Sequence, residues 1–257
     1  MISIEERRLQ IKLEPSKEER DSVYGAKMET DLSFKIASDE DVNFHATHPD
    51  HLALIVLLAA HPFSTGELNI PLHVSESFAT TCKIFERYKP TFLSTNSLPY
   101  TPRSNSRPGL AFSGGVDSTA ALELMPESTI PVFLDRPVRA KTTLYNKSAA
   151  KATLAFLEAR DQPNISVTTD VEFIRNPIGF PTDLAAGIPA IALATHLNFD
   201  SIGYGTIMES AYRIGHVKAR EYSTSPHYKV WGPVFAACGI PLYLPVAGVS
   251  EVGTSII

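Results

Sequence analysis

The stretch from Leu110 to Thr119, Leu-Ala-Phe-Ser-Gly-Gly-Val-Asp-Ser-Thr, constrains the fold more than any other. Leu110 to Phe112 are apolar and predict a buried strand. Ala120, Ala121, Leu122, Leu124 and Met125 predict a helix that Pro126 closes. Ser113-Gly114-Gly115 therefore turns a strand end into a helix start. Two glycines permit positive φ and keep Cβ atoms away from a bound group. The first amides of such a helix have no internal partners, and its dipole favours an anion beside them. Ser113, Ser118 and Thr119 add hydroxyls. The turn reads as a cradle for phosphate oxygens.

Downstream, strands alternate with helices. Strands are expected at 130–134, 165–171, 201–206 and 242–246. A long helix is expected over 143–160, a first helical turn at Pro181-Thr182-Asp183, and a helix from Pro189 to about Leu197. Ser225 or Pro226 opens a further helical stretch to about Cys238, kinked at Gly232-Pro233. Strands separated by crossovers of this length make a parallel sheet covered on both faces. The expected fold is α/β, a doubly wound parallel sheet of five strands. Ligands of such sheets sit at the carboxyl ends of the strands. Those ends carry Ser113-Gly114-Gly115, Asp135-Arg136, Thr169-Asp170, Gly205-Thr206 and Gly248-Val249-Ser250.

The first hundred residues have another texture. Strands are expected at 9–13, 32–36 and 68–74. A helix apolar nearly all round runs from Pro49-Asp50 to about His61, stopped by Pro62. Ser75 or Ser77 caps another, which continues to about Tyr88 and ends at Pro90. The Pro/Ser/Asn stretch over 95–108 is the best domain boundary. It divides a small α+β domain, 1–104, from the α/β domain, 105–257. His45, His48 and His51 are spaced by three, but Pro49 interrupts them, which favours capping and packing over a metal site.

Composition narrows the functional classes. With 44% hydrophobic and 20% charged residues, the 257-residue chain can bury a sizeable core. A net charge of −5 argues against a broad nucleic-acid surface. Cys82 and Cys238 lie too far apart for a C-x-x-C site and suggest no disulfide framework, which fits a cytoplasmic setting. The N-terminus is charged, unlike a signal peptide, and the longest apolar run, Leu52 to Ala60, is too short to span a membrane.

No Gly-Lys pair of a Walker A loop is present, and no third glycine completes a dinucleotide fingerprint. Ser113, Gly114, Gly115, Asp117, Ser118 and Thr119 do match S-G-G-x-D-S-[ST] at every defined position. The chain from about residue 109 onward thus resembles the PP-loop ATP pyrophosphatases, of the adenine nucleotide alpha-hydrolase-like fold type. Within them it looks most like the 7-cyano-7-deazaguanine synthase branch. The looser matches are Phe180-Pro181-Thr182-Asp183, Gly205-Thr206-Ile207-Met208-Glu209 and Tyr222-Ser223-Thr224-Ser225-Pro226. It departs from that branch in lacking the cluster of zinc-binding cysteines and in carrying the N-terminal extension. The resemblance therefore implies shared ATP chemistry with a different acceptor.

What the resemblance implies is an ATP-dependent, AMP-forming enzyme that uses Mg²⁺. A carboxylate, amide or similar oxygen of a small-molecule or modified-base substrate attacks the α-phosphorus, pyrophosphate leaves, and ammonia, an amine or sulfide displaces AMP. Ser113, Asp117 and Ser118 would carry the catalytic role. Ala111, Phe112, Ser113, Gly114, Gly115, Asp117, Ser118, Thr119, Phe133, Leu134, Asp135 and Gly205 would line the nucleotide. Asp135 either meets a ribose hydroxyl or caps the next loop, and Asp117 either joins the metal site or holds the loop amides. Asp183, Glu209, Arg213, Lys218 and Arg220 are the acceptor-side candidates. A nucleotide-binding regulatory subunit is the alternative. Either a longer natural chain or another subunit, a route to a homo-oligomer, is expected to cover the apolar C-terminal end, so that Val249, Val252, Ile256 and Ile257 lie in or beside a contact between chains or are poorly ordered.

Overall fold

Five strands run parallel along one side of the main sheet. They are β7 (Arg107–Phe112), β8 (Ile130–Asp135), β9 (Ile165–Thr169), β11 (Phe199–Tyr204) and β12 (Leu242–Tyr243), in spatial order β9-β8-β7-β11-β12. A computed structural model describes residues 1–5, 7–15, 25–29, 32–138, 145–213 and 219–257. The last strand pairs over only two residues, shorter than the expected 242–246, because the chain turns at Leu244. The sheet does not stop at five. β1 (Ile2–Glu5), β2 (Arg8–Lys12) and β4 (Ser33–Ala37) extend it antiparallel beyond β9, so it has eight strands and is mostly parallel.

The extension has a plain cause. Leu9, Ile11, Phe34 and Ile36 alternate with polar residues and are fully buried. Pairing Ile36 with Thr169 brings that apolar row onto the same core as the parallel strands. Sheet hydrogen bonds and one hydrophobic core thus cross the expected boundary at 104/105. The short β3 (Lys27–Met28) pairs separately with β10 (Arg175–Asn176).

Helices cover both faces. α3 (Val116–Leu124) and α4 (Lys147–Ala159) pack on Leu110, Phe112 and Phe133. The opposite face carries Val132, Val167 and Ile202 under α1 (Pro49–Ala60), α5 (Ile188–Leu197) and α7 (Gly232–Ala237). Part of the expected start of α4 lies outside the described residues. A π-helical turn, His227–Trp231, precedes Gly232-Pro233, the expected kink.

One expectation is corrected. The helix after Ser75 is short, α2 (Glu76–Thr81) plus one 3₁₀ turn, and Tyr88–Ser97 is a strand, β6. It runs parallel to β5 (Gly66–Ser75) in a two-stranded sheet. Pro90 is tolerated because a two-stranded sheet is all edge. The Ser/Asn composition near residue 95 therefore marks the solvated side of a strand, not only a linker.

α1 is held by polar groups at its buried start. His48 is its N-cap, its ring accepting from the Asp50 amide. His51 is fully buried, with Nε2 donating to the Cys238 carbonyl at 3.0 Å and Nδ1 accepting from the Thr195 hydroxyl at 3.1 Å. Both bonds suit the neutral ring. Burial lowers His51 from 6.5 to about 3, with the Cys238 bond opposing and the nearby His48 assisting. The unfolded chain then binds the proton more readily, so stability is full above the unfolded value and falls away as pH drops towards 3. Moving from pH 7 to pH 5 should cost about 2 kcal/mol through this ring. Urea unfolding at the two pH values measures it, and His51→Gln should lose less over the same interval. An equal loss in the variant would assign the effect to other groups.

No helix among the described residues is long and apolar enough to cross a membrane.

Candidate functional site

β7 ends at Phe112, and the chain leaves the sheet through Ser113. Gly114 has φ +74, a conformation that a side chain would strain, and Gly115 is the N-cap of α3. Among the described residues no side chain caps this helix, and Ser113 and Gly115 are exposed. α3 thus opens without a side-chain cap beside an exposed loop. The loop is braced from within: Ser118 Oγ donates to the Gly115 carbonyl at 2.9 Å, and Thr119 Oγ1 to the same oxygen at 3.0 Å. Ser113 Oγ lies 3.2 Å from Ser118 Oγ. From outside, Thr153 Oγ1 of α4 donates to the Gly114 carbonyl at 3.0 Å. Gly205, just past β11, packs so closely that a Cβ there would stand 2.7 Å from the backbone of Asp117 and Ser118.

The loop, the end of β8 and Gly205 meet at the carboxyl ends of three adjacent strands. The chain runs outward through β7, β8 and β9, then crosses to β11 on the other side of β7. The order reverses beside the loop, where open α/β sheets form a crevice. Phe112, Phe133 and Leu134 are buried and Ala111 is half-buried, so what these strand ends offer a ligand is chiefly backbone.

Asp135 at the end of β8 is ion-paired, with Lys147 Nζ 2.6 Å from Oδ1 and Lys151 Nζ 3.9 Å from Oδ2. Lys147 also donates to the Arg136 carbonyl at 3.2 Å. Arg136 forms a two-point pair with the buried Glu172 and lies 4.5 Å over the Tyr145 ring and 5.2 Å over that of Phe180. The sequence placed Arg136 at a strand end, but nothing in it singled out Glu172 or Lys147. Their roles follow from the packing of α4 and of the turn after β9.

The acidic candidates are all partnered. Asp117 Oδ1 accepts from Thr254 Oγ1 at 3.0 Å. Both carboxylate oxygens of Glu209, in the first turn of α6 (Met208–Tyr212), lie 3.2 Å from the Glu251 amide. Thr254 and Glu251 belong to α8 (Glu251–Thr254), which neither motif nor spacing marked as part of a site. Asp183 opens the 3₁₀ turn Asp183–Gly187 and accepts from Nε2 of the buried His227 at 2.5 Å. The surroundings of Asp183 act to raise its carboxyl, but the bond and charge of His227 and the Leu184 amide outweigh them and hold it below its usual range. Arg220 is lowered by desolvation and by the charge of Arg213, with Asp183 opposing, so these three groups sense one another. Arg213 has φ 54, ending α6 in the left-handed region. Lys218 lies outside the described residues. Val249 packs on the core under α3, whereas Val252, Ile256 and Ile257 are exposed.

The donor set fits an anionic ligand carrying a hard cation: an open helix start, a left-handed glycine, and a carboxylate at Asp117. Among the described residues no group of three or more His, Cys, Asp or Glu side chains is placed to hold a metal by itself. Mg²⁺ is commonly held by one or two carboxylates together with phosphate oxygens, so Asp117 suits such a role. A family model described as a family of unknown function (DUF6395) matches residues 230–257, the segment from the π-helical turn to the last residue. No curated protein matches the chain.

Proposed function

We propose that the chain is an ATP-dependent enzyme of the PP-loop kind, with the adenine nucleotide alpha-hydrolase-like fold in its parallel strands. In this reading it adenylates a carboxylate, amide or similar oxygen and passes it to an amine, ammonia or sulfur nucleophile. The observation that carries the reading is the position of Ser113-Gly114-Gly115. The loop sits at the end of β7, beside the reversal of strand order, with α3 opening uncapped behind it.

Bound ATP would supply an electrophilic α-phosphorus and pyrophosphate as the leaving group. The residues divide the remaining work. The amides opening α3 and the exposed Ser113 hydroxyl stabilise charge gathering on the departing pyrophosphate. Ser118 and Thr119 spend their hydroxyl protons on Gly115, so their part is to hold the loop in shape. Asp117 holds the cation that accompanies the phosphates. Lys147, drawn to the end of β8 by Asp135, adds a positive charge there, while Asp135 itself is engaged by that lysine. Asp183, Glu209, Arg213 and Arg220 line the acceptor side.

Nucleotide products decide the matter. Chromatography after incubation with Mg²⁺, ATP and candidate acids should give AMP and pyrophosphate, and Asp117→Ala should slow their formation about 100-fold or more. ADP as the main product would sink the proposal. Tight ATP binding with no AMP under any acceptor would favour the regulatory-subunit alternative.

A further inference from the structure

The four-residue helix α8 touches both carboxylates that frame the loop side of the crevice. At its start the Glu251 amide donates to Glu209. At its end the Thr254 hydroxyl donates to Asp117. The helix is fixed in place by three further features. Ser250 caps it, accepting from the Gly253 amide at 3.1 Å. The Met208 amide donates to the Val249 carbonyl at 2.9 Å, tying the segment to α6. A Cβ on Gly253 would come 2.7 Å from Val249 Cγ1, so the turn is closely packed. Thr254 is buried.

The direction of the Thr254 bond is informative. A threonine inside a helix ordinarily returns its hydroxyl proton to a carbonyl one turn back. Thr254 has that option, with the Glu251 carbonyl 2.9 Å from Oγ1. One proton faces two acceptors, and a carboxylate is the stronger. Asp117 Oδ1 is thereby fixed on α8, while Oδ2 has no hydrogen bond among the described residues. If Asp117 turns both oxygens to a cation, the hydroxyl falls back on Glu251 and no buried donor is stranded.

We infer that Thr254 is a positioning residue for Asp117: it holds the side chain so that its free oxygen is presented to the nucleotide's metal ion. The inference rests on the nucleotide reading above, and its test separates the two. Binding of an α,β-methylene ATP analogue is measured by calorimetry, with Mg²⁺ and with EDTA, for the wild type and three variants. Thr254→Val keeps the shape and removes the hydroxyl. Thr254→Ala also removes it and is a good helix former, so the test survives if the valine variant does not fold. Thr254→Ser keeps the hydroxyl.

Valine and alanine should each weaken binding roughly tenfold in Mg²⁺, the usual scale for loss of a group that orients a metal ligand. Their affinity in EDTA should match the wild type, and serine should restore the Mg²⁺ affinity. Wild-type affinity in the valine and alanine variants, or an equal loss with and without Mg²⁺, overturns the role given to Thr254. A wild type that binds no analogue overturns the nucleotide reading, and this inference with it.

Discussion

Gly205→Ala is expected to slow AMP formation about 100-fold while leaving a folded protein. The new Cβ would stand 2.7 Å from the Asp117 carbonyl carbon and oxygen and from the Ser118 amide nitrogen. All three are backbone atoms of the first turn of α3, so no flexible side-chain tip can yield. The turn itself must move away from the end of β11. The open amides and Asp117 ride on that turn, and a misplacement on the order of 1 Å at reacting groups can cost about 100-fold in rate. The overpacking should cost about 1–3 kcal/mol of stability. Turnover and thermal melting measure the two effects. Gly115→Ala is the steric comparison: its Cβ would meet only Ser113 Oγ at 3.4 Å, and its φ is −87, so it should melt like the wild type. Normal AMP formation by Gly205→Ala would remove the contact between β11 and α3 from the account of the site.

The largest stability effect is expected at Asp50. Its side chain is fully buried at the start of α1 and accepts two bonds from Ser75, the amide at 2.8 Å and the hydroxyl at 2.6 Å. His48 Nδ1 lies 3.7 Å from Oδ2. Ser75 closes β5 and caps α2, so this carboxylate joins α1 to the β5-α2-β6 unit. Asp50→Ala strands the buried Ser75 amide and leaves the Ser75 hydroxyl only Ser77 Oγ, 3.1 Å away, so it should destabilise by about 2–3 kcal/mol. Asp50→Asn keeps an acceptor for the amide and should cost less than half as much. Urea unfolding of both variants tests the ranking. A loss under about 1 kcal/mol in the alanine variant would mean that water or relaxed packing satisfies Ser75.

What could be read from the sequence was whatever is local. The β7–loop–α3 unit is a run of ten residues whose glycines, hydroxyls and apolar flanks each point the same way. α1 and α5 carry their own start signals, Pro49 and Pro189, and β2 and β4 alternate visibly. What was not legible depends on distant residues. Nothing in Phe34 and Ile36 states that their strand pairs with β9 rather than forming a separate sheet. Strand β6 was hidden because Pro90 reads as a stop and Thr95 and Asn96 face solvent. In the candidate site, the loop was evident, but the contacts Asp117–Thr254, Glu209–Glu251 and Asp183–His227 join residues that no spacing rule connects. Short polar side chains such as Thr254 take on meaning only once packing has chosen their neighbours.

The pairing of β4 with β9 also sets an order of events during synthesis. Ile36 leaves the ribosome long before Thr169, its partner in the sheet. Until then the apolar face of β2 and β4, with Leu9, Ile11, Phe34 and Ile36, can close only on the earlier part of its core, from Val42 and Phe44 through α1 to Ile70, Val74 and Phe78. A two-stranded piece of this kind is marginal by itself, and a third strand helps only once the apolar face is packed. The earliest strands therefore join the parallel part of their sheet late, and that pairing is of the long-range sort that slows folding and leaves a strand edge open to other chains meanwhile. The nascent chain's exposure to misassembly is thus written into the same eight-stranded sheet that, once complete, carries the loop at the end of β7.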